Sequence, residues 1–315
     1  MVVELSVIMP VYNEQRNLEP LHKEITSVMK QMKISYEMVF VDDGSKDKSL
    51  LVLRKLHAAD PEHVKILQFA KNAGQTAAWD AAIKYAQGKY FVMLDSDLQN
   101  DPKDIPMMLE KLKKNNLDVV SGWRYDRRDK RGKKNFSRMA NNLRQNITKE
   151  NIHDAGCSLK IYRRECFDNV DLYGENHRFI TSIMALNGCK IGEAKVHHRA
   201  RKFEETKYGA GRMSRGFLDF IMMLFLSKYG SRPIHVFGNM GLVSFIIGFF
   251  LALYLAVMRI FFAVPLADRP MLLLAILLII IGIQFIIFGI LAEILMRVYF
   301  KTHNMRPYTI KRIYE

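Results

Sequence analysis

Acidic charge, cysteine and tryptophan are all scarce in this sequence, and two common phosphate-binding motifs are missing from it. Asp and Glu number 32 against 47 Lys and Arg, which leaves +15 at pH 7 and a pI near 9.6. Such a balance suits an anionic partner: a membrane surface, nucleic acid or phosphorylated substrates. The three cysteines, Cys157, Cys166 and Cys189, are odd in number and show no CxxC spacing. That argues against a disulfide framework and a zinc site, and fits a reducing cytoplasm. The opening MVVELSVIMPVYNE has no basic leader and no cleavage site, and is expected to be a strand rather than a signal peptide. No GxGxxG follows the first strand, and no GxxxxGK[ST] occurs anywhere. The phosphates of any nucleotide must then be met by a metal and by basic side chains.

Apolar residues are present but unevenly spread. Up to Tyr229 the chain reads as a soluble domain, whereas Phe237 to Ala292 is almost wholly apolar apart from its middle. This favours a membrane over nucleic acid as the partner of the positive charge. Phe237–Met258 and Met271–Ala292 are each 22 residues long and carry no charge. About 20 apolar residues span a bilayer core, so two transmembrane helices are expected. Lys228 and Arg232 precede the hairpin, and Arg297, Lys301, Arg306, Lys311 and Arg312 follow it. The positive-inside rule puts both flanks, and the large domain, in the cytoplasm. Phe217 to Lys228 is amphipathic enough either to lie in the membrane interface or to pack on the soluble domain.

The soluble part alternates strand and helix patterns. Strands are expected at Leu5–Val11, Met38–Val41, Val64–Phe69, Tyr90–Leu94, Asp118–Ser121 and Ser158–Tyr162. Helices are expected at Leu18–Met32, from Ser45 or Asp47 to about Leu56, at Gln75–Ala86, Pro102–Lys114 and Arg178–Leu186. This alternation predicts an α/β fold with a mostly parallel, doubly wound sheet. The stretch that organises it is Tyr90–Asp101, YFVMLDSDLQND. A buried strand stops abruptly at Asp95-Ser96-Asp97. Two carboxylates one residue apart at a strand's carboxyl end can hold magnesium or manganese, or can merely cap a turn. Pro10 to Glu14 and Val41 to Ser45 end two more strands at the same edge, where open α/β sheets bind ligands.

Together, PVYNE, VDDGS and DSDLQ resemble the family-2 glycosyltransferases of GT-A fold. The likeness continues through Arg124, Asp154-Ala155-Gly156-Cys157 and His177-Arg178-Phe179-Ile180, and reaches Arg201 to Tyr208. With the hairpin, the chain looks like the polyprenyl-phosphate branch that includes dolichol-phosphate mannosyltransferases. The resemblance implies that Pro10, Tyr12 and Glu14 line a nucleotide pocket, and that Val41 and Asp43 hold the nucleoside. Asp95, with Ser96 beside it, would sit near the sugar or ribose. Asp97 and Gln99 would face a Mg2+ or Mn2+ ion on the diphosphate. Arg124 would contact substrate, Arg178 the acceptor phosphate, and Asp154 would orient the acceptor. Arg201 and Lys207 match a family Arg-x-x-Gly-x-Ser-Lys pattern in which Glu204 replaces the glycine and Thr206 the serine. His197 and His198 adjoin on an expected strand, so they cannot face one ligand together and read as structural.

The expected organisation is a GT-A catalytic domain over residues 1–212, an interfacial helix over 213–232, a membrane hairpin over 233–300 and a basic tail over 301–315. The expected activity moves one sugar from a nucleotide sugar, UDP-linked in preference to GDP-linked, to a polyprenyl phosphate with inversion. That would take place at the cytoplasmic face of the inner or plasma membrane, against an anionic lipid surface and without nucleic acid. Gly241, Gly248, Gly282 and Gly289 are small enough to support association between copies. Two rivals are a processive polysaccharide synthase and a non-catalytic binder of nucleotide sugars. Synthases of this family hold their chain with Gln-x-x-Arg-Trp, and neither Trp79 nor Trp123 is so preceded. The charge pattern predicts that cysteine labelling from outside intact cells reaches a probe at Asp268 and misses one at Glu315. The reverse pattern would overturn the orientation.

Overall fold

The computed structural model describes residues 3–125, 152–168, 170, 172, 176–200, 225, 233–263, 265 and 270–302, without the side chains of 297 and 299–302. The chain divides into two units, Met1–Met223 and Leu224–Glu315. In the first, seven strands form one sheet: β1 Leu5–Val11, β2 Tyr36–Asp42, β3 Val64–Gln68, β4 Tyr90–Met93, β5 Val119–Arg124, β6 Lys160–Arg163 and β7 Ile191–Val196. Their order is β3-β2-β1-β4-β6-β5-β7. All neighbours are parallel except β6, which runs antiparallel to both β4 and β5. The helices are α1 Leu18–Met32, α2 Ser49–Ala59, α3 Gln75–Tyr85, α4 Ile105–Lys114 and α5 Ile180–Leu186.

Successive side chains of a strand point to opposite faces, and here both faces are covered. Leu5, Val7, Met9 and Val11 pack with Leu21 and Ile25 of α1, Leu53 of α2 and Met108 of α4. Ile8, Val39, Val41, Phe91 and Met93 pack on the other face with Ala78, Trp79 and Ala82 of α3 and Met184 of α5. This is why β1, β2 and β4 read as largely apolar runs, interrupted inside only by Ser6 and Glu37, which bond to each other. β1 lies between β2 and β4, with Leu5 level with both Tyr36 and Tyr90. The chain builds β1 to β3 in one direction and then crosses to β4 on the other side of β1. The crevice between the ends of β1 and β4 is therefore the sheet's switch point.

Several boundaries differ from expectation for identifiable reasons. β5 runs on to Arg124 because β7 pairs with it along that whole length. Pro102–Asp104 forms a 3-10 turn before α4, capped by Asp101, whose carboxylate accepts from Lys103 N at 3.0 Å. α2 starts at Ser49 without a side-chain cap from its N-cap residue, Lys48; Asp47 instead accepts from Ser49 N and from Gln15 N. The turn Asn176–Phe179 is 3-10, so the helix expected from Arg178 begins at Ile180. β7 stops at Val196, so His197 and His198 lie past the strand on which they were expected. The expected interfacial helix falls, apart from Phe225, outside the described residues.

The second unit contains α6, Ile234–Phe262, and α7, Pro270–Thr302. Both are long and apolar enough to cross a membrane. At about 1.5 Å per residue even the shorter exceeds a bilayer core of about 30 Å. Their outward faces are apolar as well, with Phe250, Ile260 and Leu273 well exposed. The two helices touch through glycine. A Cβ added at Gly282 would lie 2.7 Å from Gly241 O, and one at Gly248 would lie 2.9 Å from Ala275 O. Gly289 faces Phe237 in the same way. All four glycines noted in the sequence are thus engaged within one hairpin, where small residues let backbones approach. Gly282→Ala is expected to destabilise the detergent-solubilised protein by about 1–3 kcal/mol through overpacking. Gly238→Ala, with only Ile234 Cγ1 at 3.7 Å, is expected to be neutral in the same thermal melt.

Candidate active site

The site gathers where β1, β2 and β4 end. Asp43 N donates to Val11 O at 2.8 Å, and Ser96 Oγ donates to Pro10 O at 2.8 Å. These bonds lace the three strand ends together. Asn13 takes a left-handed backbone, φ 55°, and its Oδ1 accepts from Lys46 N at 2.7 Å. Pro10, Tyr12 and Glu14 are half-buried along this rim, and Glu14 accepts from Asn17 Nδ2. Val41 is buried beneath it.

The carboxylates have different partners. Asp43, expected to hold the nucleoside, is buried and engaged from within the fold. It accepts from Asn72 Nδ2 at 2.9 Å, Ala73 N at 2.7 Å and Gly74 N at 3.0 Å. A carboxylate offers about four lone-pair positions, so most of its capacity goes to fixing the turn before α3. Asp95 accepts from Gln75 Nε2 at 2.9 Å. Burial, and then the neighbouring charge of Asp97, push the Asp95 carboxyl up to about 6, opposed by Ser158, Arg124 and Lys160. Asp97 is buried and its Oδ1 accepts from Gln99 N at 3.1 Å. The turn needs Leu98 at φ 62°, a conformation that costs a non-glycine residue about 1–2 kcal/mol.

Among the described residues no three His, Cys, Asp or Glu side chains group as metal ligands. The donors present are the Asp95 and Asp97 carboxylates and the half-buried Gln99. Magnesium and manganese sites in nucleotide enzymes use one or two carboxylates plus the substrate's own phosphates. The repulsion from Asp97, which adds to burial in raising Asp95, is also what a divalent cation would relieve. The residues fit such an ion.

Arg124 and Asp154 form a two-pronged pair. Nε lies 2.7 Å from Oδ2 and a terminal nitrogen 2.8 Å from Oδ1, with side chains 13% and 17% exposed. Gly156 leaves room for it: a Cβ there would lie 3.2 Å from the guanidinium. The charged guanidinium is held by hydrogen bonding and attraction to Asp154, which outweigh its burial. Asp154 is therefore bound to the cation rather than poised alone. Arg178 is half-buried in the 3-10 turn beside His177, whose Nδ1 lies 2.6 Å from Thr76 Oγ1. Arg201 and Lys207 lie outside the described residues.

Sequence reasoning missed several supporting residues. Arg199 N donates to Gln99 O at 2.8 Å, and its guanidinium reaches Glu24 at 2.7 Å and Asp101 at 2.6 Å. His197 pairs with Asp104 at 2.8 Å, which raises its pKa, and Asn100 bridges to His198. The chain leading to Arg201 is thus tied to the loop that carries Asp97. Gln75, Asn72 and Ser158 also lack any motif of their own. The signal that could have found the first two is positional: they follow β3 at the same sheet edge as the recognised strand ends.

Residues 6–171 match the family model described as glycosyl transferase family 2. The chain is 37% identical over 316 residues to dodecaprenyl-phosphate galacturonate synthase of Rhizobium johnstonii, covering 99% of this chain and 94% of that protein. It is 33% identical to undecaprenyl-phosphate 4-deoxy-4-formamido-L-arabinose transferase of an Enterobacter species, covering 98% and 93%. Glucosyl-3-phosphoglycerate synthase from Mycobacterium tuberculosis, crystallised with Mn2+ and UDP-glucose, superposes with a TM-score of 0.55 at 15% identity, over 71% of this chain and 79% of that one. At that identity the likeness is one of fold.

The Arg124–Asp154 pair predicts a stability signature. Removing one partner strands a largely buried charge, so Asp154→Ala is expected to cost about 3 kcal/mol. The double variant Arg124→Met with Asp154→Leu should melt above the single one, because no charge is left unmatched. A double variant less stable than Asp154→Ala would show that the pair is not the reason.

Proposed function

The chain belongs to glycosyl transferase family 2, with that family's GT-A sheet, and from this premise we propose that it transfers one sugar from a nucleotide sugar to a polyprenyl phosphate. The observation that carries the reading is the cluster Asp95, Asp97 and Gln99 at the switch point of a chain whose full length, apolar helices included, is similar to two prenyl-phosphate sugar transferases. A UDP-linked donor is favoured. The named sugars of those relatives make uronic acids and modified arabinoses the first donors to try. The catalytic domain and both termini are assigned to the cytoplasmic side.

In this mechanism Tyr12 and Val41 wall the nucleoside, while Asp43 holds the turn that closes its pocket. Asp95 engages the ribose or the sugar. When bound, Mg2+ or Mn2+ at Asp97 and Gln99 supplies positive charge against the diphosphate. Arg124, held rigid by Asp154, presents its guanidinium to the substrate. Asp154 thus orients the substrate through the arginine. Arg201 and Lys207 add charge for the departing diphosphate and Arg178 for the acceptor. The acceptor's phosphate oxygen attacks the anomeric carbon, the bond to the diphosphate breaks, and the configuration inverts. A phosphate monoester is largely dianionic at neutral pH, its second pKa being about 6, so no strong general base is required.

Mass spectrometry of lipid extracts after incubation with UDP-sugars and undecaprenyl phosphate tests this. One sugar per lipid is expected, and Asp97→Asn should fold yet transfer roughly a hundredfold more slowly. A ladder of sugars would indicate a polysaccharide synthase. Nucleotide-sugar binding with no lipid product from any donor would indicate a non-catalytic binder.

A further inference from the structure

Two neighbouring residues at the start of α3 reach in different directions. Gln75 Nε2 donates to Asp95 Oδ1 at 2.9 Å, across 20 residues of sequence. Thr76 Oγ1 lies 2.6 Å from His177 Nδ1, across 101 residues. Residues adjacent in a helix project about 100° apart, so one turn can serve two sides of a cleft. Asp95 belongs to the side assigned to the donor. His177 precedes Arg178, which is assigned to the acceptor phosphate.

The turn itself is held firmly. Asp43 grips Asn72, Ala73 and Gly74 through its carboxylate. Gly44 packs so closely against it that a Cβ there would lie 2.7 Å from Asn72 N. Gly74 adopts φ +95°, open to glycine and strained for other residues. Thr76 is buried, so its hydroxyl has little access to water as an alternative partner. A side chain anchored in this way transmits its position to whatever it bonds.

We propose that Gln75 and Thr76 are positioning residues for the two halves of the reaction, Gln75 setting Asp95 for the donor and Thr76 setting the His177-Arg178 turn for the acceptor. The proposal rests on the polyprenyl-phosphate reading above. It also says that the two substrates are handled from one rigid turn, so that the distance between them is fixed by α3 and not by the substrates.

The test uses the full-length enzyme in detergent, with steady-state kinetics in both substrates and calorimetric binding of UDP with manganese and of a short-chain polyprenyl phosphate. Gln75→Leu is expected to raise donor KM and weaken UDP binding roughly tenfold, leaving acceptor KM within about twofold. Thr76→Val keeps the shape but lacks the hydroxyl, and should do the reverse. Thr76→Ser restores the hydroxyl and should restore acceptor KM, which a purely structural role for the methyl group would not predict. Gln75→Asn, with the amide drawn back by one methylene, stands in if Gln75→Leu does not fold. Both variants shifting both substrates together, or neither shifting either, would overturn the proposal. If the wild type makes no lipid-linked sugar, the reaction assigned above falls. The UDP binding arm then still decides Gln75, and unaltered affinity in its variant refutes its role.

Discussion

Negative charge crowded at one edge of a parallel sheet has to be answered, and the way it is answered shapes this molecule. Parallel strands all end on the same side, so Asp42, Asp43, Asp95 and Asp97 are brought to one rim by the register of β1 between β2 and β4. Buried carboxylates without partners would protonate or destabilise the fold. Each has therefore acquired donors. Asp43 takes backbone and amide N–H groups, Asp95 takes Gln75 and Ser158, and Asp97 takes the backbone of its own turn. Asp95 and Asp97 stay close enough that the charge of Asp97 adds to burial in raising the Asp95 carboxyl.

The positive charge of the site is handled by the same logic. Arg124 extends from the end of β5 and would be costly to bury alone. Asp154 binds it with matched geometry, and Glu193 in turn accepts from the backbone of Asp154 at 3.0 Å. A guanidinium held on two prongs has little freedom left to lose. The antiparallel insertion of β6 between β4 and β5 contributes to this arrangement. It carries Ser158 and Lys160 back past Asp95, which supplies a hydrogen bond and a positive charge that a purely parallel order would place elsewhere.

The hairpin obeys different physics. Between two apolar helices there is little hydrophobic gain in lipid, so contact depends on close backbone approach. Gly241 against Gly282 and Gly248 against Ala275 provide it. The same glycines that read as general adhesive patches in the sequence are consumed inside one chain.

Much of this was legible from residue order. The apolar runs of β1, β2 and β4, the amphipathic spacing of α1, the apolar hairpin and the acidic strand ends are all encoded within a few consecutive residues, and the local rules of strand, helix and span act at that range. The partners of those residues were not legible. Gln75 with Asp95, Arg124 with Asp154, Thr76 with His177 and Arg199 with Glu24 are separated by 20, 30, 101 and 175 residues. No short pattern records such a pairing, because it exists only once strand register and helix packing have set the distances. The sequence by itself therefore determined most of the strands and helices and the gathering of acidic strand ends at one sheet edge. The tertiary structure alone decided that Asp43 holds the turn before α3, that Asp154 is bound to an arginine, and that the first turn of α3 reaches both Asp95 and His177.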